Sequence, residues 1–113
     1  MARMTAYVIS ESEVLDEELA ASYRTLAAAA IRHHGGRYVV RGAEPEAADG
    51  LWPAGRRLIV VEFADMDRLK AWYASPEYAE ARELAKKALK RRLLFVEGTP
   101  EQGPRGGECP CGS

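Results

Sequence analysis

The sequence contains little cysteine: Cys109 and Cys111 are its only two, and both lie within the last five residues. No disulfide framework can therefore hold the body of the chain together, and folding must depend on burial of apolar side chains. With 113 residues, the chain has the usual length of a single domain with one core.

The sequence also lacks an excess of one charge and any long apolar run. Sixteen basic residues stand against 17 acidic ones, a formal net charge of −1, so the chain as a whole is not attracted to nucleic acid or to anionic lipid. No window approaches the length of a membrane span. The first residues, MARMTAYVISESEV, turn acidic after a short apolar stretch, unlike a signal peptide. We expect a cytoplasmic protein with neither a nucleic-acid nor a membrane partner.

Three common catalytic motifs are missing as well. The sequence has no HExxH pair, no GxSxG elbow and no glycine-rich phosphate loop. Because these motifs are missing, we exclude zincin-type, serine-hydrolase and nucleotide-hydrolase functions.

The patterns that are present predict an α+β fold. β-branched and aromatic residues predict strands at residues 5–10, 37–44, 57–64 and 91–98. Helical spacing predicts a first helix between an Asp16 cap and a Gly35 stop, and a two-part second helix that starts at Met66, restarts at Ser75 and ends near Lys90. The order βαββαβ predicts a ferredoxin-like domain over residues 1–98: a four-stranded antiparallel sheet with two helices on one face. Residues 99–113, rich in Gly and Pro, are predicted to be a flexible tail.

The third predicted strand, RLIVVEFA, is apolar on both faces. Two helices cover only one face of a sheet, so the other face needs a second layer. The simplest source of that layer is another copy of the chain, and the sequence therefore predicts a homodimer that packs sheet against sheet.

A candidate ligand site follows from the charges on two neighbouring strands. Simple alternation places Arg37 and Arg41 on one side of their strand, which we expect to be the open side that also carries Glu62. A guanidinium fork in a partly closed cavity favours a polar or carboxylate-bearing ligand, with Arg41 holding an oxyanion and Glu62 or His34 moving a proton. The alternative is that these charges only neutralise each other where the two sheets meet.

The histidine pair His33-His34 has a catalytic and a structural interpretation. Adjacent residues on a helix point about 100° apart, so we expect them not to converge easily on one metal ion. A general acid or base role for His34 competes with a simple interaction with the helix C-terminus. Tyr73 and Tyr78 similarly either lend hydroxyl groups to a pocket or pack in the core.

The C-terminal CPCGS resembles the first half of a small zinc-binding tail module. Cys109 and Cys111 supply only two thiolates, so a closed zinc site would need ligands from a second tail or another protein. The alternative is a flexible tail with redox-accessible thiols. The sequence predicts no other cofactor.

Three stretches, GGRYVVRG, RLIVVEF and AWYASPEY, resemble in order the uncharacterised bacterial family called domain of unknown function thirteen-thirty, a branch of the dimeric α+β barrel superfamily. The chain departs from it at Ala64, where the family usually has proline, and in the cysteine tail. The resemblance implies a ferredoxin-like fold that dimerises through its sheets, in a superfamily that includes cofactor-independent monooxygenases, lactone isomerases, haem-degrading enzymes and binding proteins. The family's motif positions fall here on Gly36, Arg37, Arg41, Glu62, Trp72, Tyr73, Ser75 and Tyr78.

Two functions therefore remain open after the sequence alone. One is a homodimeric protein that binds or transforms a small polar or carboxylate-bearing molecule in a pocket near the sheet. The other is a non-catalytic structural or interaction dimer, with zinc bound at its tail.

Overall fold

The structure is a computed structural model that describes residues 4–99. Cys109, Cys111 and all but the first residue of the predicted tail lie outside that range. No helix in the described range is long and apolar enough to cross a membrane. The elements are, in chain order, β1 (Ala6–Val14), α1 (Glu17–His33), β2 (Arg37–Ala43), β3 (Arg57–Phe63), α2 (Met66–Ala74), α3 (Pro76–Ala88) and β4 (Leu89–Glu97).

The four strands form one sheet in the order β2-β3-β1-β4, and every neighbouring pair is antiparallel. The helices pack on one face of this sheet, where Val8 and Phe63 meet Trp72 in the core. Alternation explains which side chains are buried: along β1, every second residue from Ala6 to Ser12 points into the core. The ferredoxin-like α+β fold predicted from the sequence is confirmed.

Side-chain caps determine where the helices begin. Asp16 accepts a hydrogen bond from the Leu19 backbone N–H at 3.0 Å, as predicted for the start of α1. Ser75 separates α2 from α3, because its hydroxyl donates to the Trp72 carbonyl at 2.7 Å and accepts from the Tyr78 backbone N–H at 3.2 Å. The predicted two-part helix is therefore observed as two helices that meet at Ser75.

Two element boundaries differ from the prediction. Residues 11–14 carry helical spacing in the sequence, yet they extend β1, since they pair along their length with the first residues of β4. In the same way β4 begins at Leu89, although helical spacing continues to Lys90. Cross-strand pairing outweighs local helix propensity at both ends of this ladder.

Two adjacent glycines connect α1 to β2 in different ways. Gly35 has φ +81°, the left-handed conformation that ends a helix. Gly36 lies so close to the core that an added Cβ would sit 2.7 Å from two ring atoms of Phe63. The second glycine is therefore required by packing, not only by the turn.

A bulge at Val39 changes the phase of β2. Arg37 pairs with Glu62 and Tyr38 with Val61, but the next pair is Val40 with Val60, so Val39 is skipped. Residues after the bulge consequently point to the opposite side from the one that simple alternation predicts.

Candidate functional site

A cavity of about 360 Å³ lies between the sheet and α1. Branched apolar side chains from the strands form most of its walls, among them Val8, Ile59 and Leu93. Two buried serines of β1, Ser10 and Ser12, also line it, and neither hydroxyl has a hydrogen-bond partner among the described residues. The cavity therefore combines an apolar body with a few polar groups, as ligand pockets do.

Four guanidinium groups line this cavity, from Arg24, Arg41, Arg57 and Arg91. The one carboxylate in the lining, Glu17, lies 3.9 Å from Arg24. Within residues 4–99, the other three guanidinium groups have no carboxylate partner. The lining therefore carries an excess of positive charge.

Arg91 is the most enclosed of these cations and is held by two tyrosines. It donates to the Tyr23 hydroxyl at 2.8 Å and to the Tyr78 hydroxyl at 3.2 Å. The two hydroxyl oxygens are 2.8 Å apart, so one phenol donates to the other. Two phenols have two O–H hydrogens, and only one is used between them, which leaves the other free to donate. When the buried Tyr78 donates to Tyr23, the Tyr23 O–H stays free. Tyr23 lines the cavity, so this O–H can then donate to a molecule in the cavity.

The protonation states of this cluster follow from its burial. Burial raises the pKa of Tyr78 well above its ordinary value, and the neighbouring Tyr23 raises it further. Burial alone would lower the pKa of Arg91. The interactions of Arg91 with Tyr23 and Tyr78 raise that pKa by more, so the pKa of Arg91 is raised overall. The cluster therefore places a charged guanidinium beside the neutral phenol of Tyr78.

Arg41 lines the same cavity, and this corrects the sequence prediction for it. The bulge at Val39 places Arg41 opposite Ile59, on the helix side, where its guanidinium carbon lies 4.1 Å from the centre of the Tyr38 ring. Burial raises the pKa of Tyr38, while the charge of Arg41 opposes that shift. The expected pairing of Arg41 with Glu62 is therefore wrong, because alternation cannot anticipate a skipped residue.

Glu62 instead pairs with Arg37 on the open face of the sheet. The Arg37 Nε donates to the Glu62 carboxylate at 2.6 Å, and the Tyr7 hydroxyl donates to its other oxygen at 3.5 Å. Neither Arg37 nor Glu62 lines the cavity. The charges that were predicted to form one site therefore lie on two faces of the sheet.

His34 lies outside the cavity too, in a cluster with His33 and Glu77. The His34 Nε2 is 3.0 Å from one Glu77 carboxylate oxygen, and the His33 Nε2 is 3.8 Å from the other. The hydrogen bond from His34 lowers the pKa of Glu77. The expectation that the two histidines would not converge is wrong, since α1 ends at His33 and His34 leaves the helical path with ψ 13°.

Tyr73 and Tyr78 both pack in the aromatic part of the core. Tyr73 lies edge-on to Phe95, with ring centres 5.5 Å apart, and the Arg82 guanidinium carbon lies 4.4 Å from the Tyr73 ring centre. The rings of Trp72 and Tyr78 are tilted by 42° with their centres 4.3 Å apart. Among these aromatics, Trp72 lines the cavity, and its indole N–H is a buried donor without a hydrogen-bond partner. Tyr78 reaches the cavity cluster only through its hydroxyl.

Sequence reasoning missed Arg91 and Tyr23, the centre of this site. A usable signal was present in the final strand, where Arg91 falls in phase with Leu89, Leu93 and Phe95. An arginine at an otherwise apolar position of a half-buried strand indicates a buried cation that needs partners. Its partner Tyr23 is 68 residues away in sequence, and no local pattern connects the two.

Solved structures with the same architecture include proteins of known and of unknown function. A protein of unknown function from Rhodopseudomonas palustris is similar at a TM-score of 0.72 and 15% identity, over 86% of this chain and 84% of that chain. SnoaB, a cofactor-independent oxygenase from Streptomyces nogalater, is similar at a TM-score of 0.64 and 11% identity, over 90% of this chain and 99% of that chain. A protein of Caulobacter crescentus CB15, described as a proposed antibiotic biosynthesis monooxygenase, is similar at a TM-score of 0.56 and 14% identity, over 86% of this chain and 92% of that chain. Such low identities establish the fold alone.

Family comparison adds the relationship that these structures cannot give. No curated protein matches the chain significantly. The family model described as Domain of unknown function (DUF1330) matches residues 5–99, nearly the whole of the described range. The resemblance drawn from GGRYVVRG, RLIVVEF and AWYASPEY is thereby confirmed. This chain belongs to the DUF1330 family.

Proposed function

We propose that the protein binds a small carboxylate-bearing molecule with an apolar body in the cavity between the sheet and α1. The observation that supports this most directly is Arg91, a half-buried cation at the cavity wall without a carboxylate partner in residues 4–99. A buried guanidinium is stable only where its charge is compensated. Two phenol oxygens accept hydrogen bonds from Arg91, and a ligand carboxylate would compensate its charge.

The rest of the lining fits the same ligand. Arg41 and Arg57 add positive charge, and Arg groups bind carboxylates through a fork of two N–H donors. When Tyr78 donates to Tyr23, the Tyr23 O–H supplies a further donor. The apolar walls at Val8, Ile59 and Leu93 suit an aliphatic or aromatic body. A volume of about 360 Å³ is at the small end of the range for ligand pockets, which favours a small molecule.

The proposal is for binding rather than catalysis. Neither Glu62 nor His34 lines the cavity, so a catalytic role for either stays a prediction about other parts of the surface. SnoaB is described as a cofactor-independent oxygenase, and oxidation of the bound molecule is the reaction to look for once a ligand is known. Product analysis of a bound ligand in air would detect it.

The test of the binding proposal compares acids with their neutral amides. Benzoate, phenylacetate and hexanoate should raise the melting temperature of the protein, while benzamide, phenylacetamide and hexanamide should not. Arg91→Met should abolish the response to the acids. Arg68→Met is the matched control, since Arg68 is exposed on α2 and does not line the cavity. Equal responses to acids and amides, or an unchanged response in Arg91→Met, would contradict the proposal.

We also propose that the open face of the sheet forms a homodimer interface. Its centre is apolar, with Ile9 and Val60 half-buried and Leu94 and Val96 still 41% and 40% exposed. The charges around that centre are already paired within the chain, Arg37 with Glu62 at 2.6 Å and Arg92 with Glu11 at 4.0 Å. A second copy can therefore cover these four side chains without leaving any of their charges unpaired, which favours a two-fold dimer.

Sedimentation or light scattering tests the dimer directly. The full chain should have twice its monomer mass of 12.4 kDa. Leu94→Glu should shift it to monomer, because a carboxylate would be buried at the centre of the interface. Leu51→Glu, at a 97% exposed loop position, should leave the mass unchanged. A monomeric parent protein, or a dimer unaffected by Leu94→Glu, would overturn this interface.

A further inference from the structure

The second unusual cluster of the molecule is the group His33, His34 and Glu77, on the outside of the two long helices. Two imidazole nitrogens and the carboxylate oxygens meet there, and one ligand atom from each residue lies within 4.8 Å of the others. The cavity proposed above does not include any of the three. The chemistry of this cluster of two histidines and one glutamate therefore needs a separate explanation.

The chain positions these three side chains from two rigid helix ends. His33 is the last residue of α1, and the His34 backbone N–H is bonded to the carbonyls of Ala30 and Ile31. Glu77 lies in the first turn of α3, which Ser75 caps and fully buried Tyr78 anchors. Because α1 and α3 pack side by side, the cluster is held by the fold and not by one flexible segment.

The separations suit a metal ion as well as an ion pair. Zinc binds histidine nitrogen and carboxylate oxygen at about 2.0–2.2 Å, so two ligand atoms at a tetrahedral angle lie about 3.4 Å apart. The His34 Nε2 lies 3.0 Å from one Glu77 carboxylate oxygen, and the His33 Nε2 lies 3.8 Å from the other. Small rotations of the His33 and Glu77 side chains would bring one carboxylate oxygen and both nitrogens to about that separation.

The ligand types select the metal. Imidazole nitrogens favour zinc, copper and nickel, whereas magnesium and calcium prefer oxygen alone. We infer that His33, His34 and Glu77 form a binding site for a divalent transition-metal ion of the zinc class, across the end of α1 and the start of α3. The side chains of His33 and Glu77 are 62% and 41% exposed, so the remaining coordination positions face solvent and take water. The ion joins the two helices at this point.

Calorimetric titration with zinc chloride tests the site in the full-length chain carrying Cys109→Ser and Cys111→Ser. These changes remove the thiol ligands of the tail, which would otherwise bind the same ion. We expect one zinc ion per chain, weaker binding of nickel than of copper, and no binding of magnesium. Zinc should also raise the melting temperature, since it binds only the folded site.

Single variants distinguish this site from unspecific binding. His33→Ala, His34→Ala and Glu77→Gln should each weaken zinc binding by about tenfold or more, because loss of even an outer partner of a ligand has that effect. Glu80→Gln, one turn further along α3 and exposed, is the matched control and should bind as the parent does. If His34→Ala fails to fold, the exposed His33 and Glu77 variants still decide the question.

Two results would overturn the inference. One is zinc affinity unchanged in Glu77→Gln and His33→Ala, which would mean that the cluster is only an ion pair closing the helix ends. The other is zinc binding that disappears with the two cysteine substitutions, which would place the ion on the tail. Electron paramagnetic resonance of the copper form gives an independent readout, since two nitrogen ligands should be lost one at a time in the histidine variants.

Discussion

The guanidinium of Arg91 donates to the hydroxyl of Tyr78 at 3.2 Å, beneath a helix and within the core layer of the protein. This contact places a positive charge where the pattern of the strand calls for an apolar side chain. It also explains why Tyr78, although fully buried, is a tyrosine and not a phenylalanine. Arg91 connects the packing of the core to the chemistry of the cavity.

Removing the Tyr23 hydroxyl should weaken ligand binding more than folding. Tyr23→Phe deletes one acceptor of Arg91 and a hydroxyl group that lies at the cavity wall. We expect a loss of about 1–2 kcal/mol in the free energy of unfolding and a tenfold or greater loss of carboxylate affinity. Denaturant titration and calorimetry measure the two. Tyr7→Phe, which removes a hydroxyl from the open face, should leave the affinity unchanged; a parallel loss there would contradict the assignment.

Alkaline pH should destabilise the protein through Tyr78. Because burial raises its pKa, folded Tyr78 keeps its proton at a pH where the unfolded chain has released it, above the ordinary tyrosine value of about 10. The native state then binds more protons than the unfolded state, so the free energy of unfolding falls as pH rises. This contribution is complete below about pH 10 and decreases above it.

Urea denaturation on either side of that pH gives the size of the effect. Tyr78→Phe should flatten the decline, since phenylalanine has no proton to release. Tyr38→Phe should flatten it also, because burial raises the pKa of Tyr38. A decline equally steep in Tyr78→Phe would show that another group controls alkaline stability.

Gly36 should not accept a methyl group. Gly36→Ala would bring a Cβ within 2.7 Å of the Phe63 ring and 3.0 Å of the Ile31 side chain. We expect a loss of about 1–3 kcal/mol in the free energy of unfolding, measured by denaturant titration. The double variant Gly36→Ala with Phe63→Leu should lose less than the sum of the single changes, because the smaller side chain makes room. Strict additivity would mean that the ring is not the obstacle.

The two arginines of β2 should act on different faces. Arg41→Met should weaken carboxylate binding and leave the dimer intact, since Arg41 lines the cavity. Arg37→Met should weaken the dimer and leave binding intact, since it strips Glu62 of its partner on the open face. Calorimetry and sedimentation on both variants complete the comparison. The same response from both arginines would disprove the assignment of Arg41 to the helix side.

Much of the fold was predictable from the sequence because its signals are local. Asp16 and Ser75 carry the caps, and Gly35 ends the first helix, so each element could be located by its own residues. The extension of β1 to Val14 and the early start of β4 were not predictable. Each depends on pairing with the other strand, and each strand alone has helical spacing there.

The site was less predictable than the fold, because it depends on register. One skipped residue, Val39, decides whether Arg41 meets Glu62 or the cavity, and nothing in the sequence VVRG signals the skip. The sequence does signal Arg91, because it is a charged residue among the apolar residues that alternate along β4. Its partners carry no such signal, because Tyr23 and Tyr78 meet it only through the packing of helices on the sheet.

The bulge at Val39 also makes the two faces of β2 separately adjustable. Since the strand changes phase there, Arg37 and Arg41 are exposed to different surroundings although they are four positions apart. Substitutions before Val39 should therefore affect the proposed dimer interface, while substitutions after it should affect the proposed ligand cavity. Deleting Val39 should remove the bulge and still leave Tyr38 opposite Val61 and Arg41 opposite Ile59, so the cavity keeps its cation.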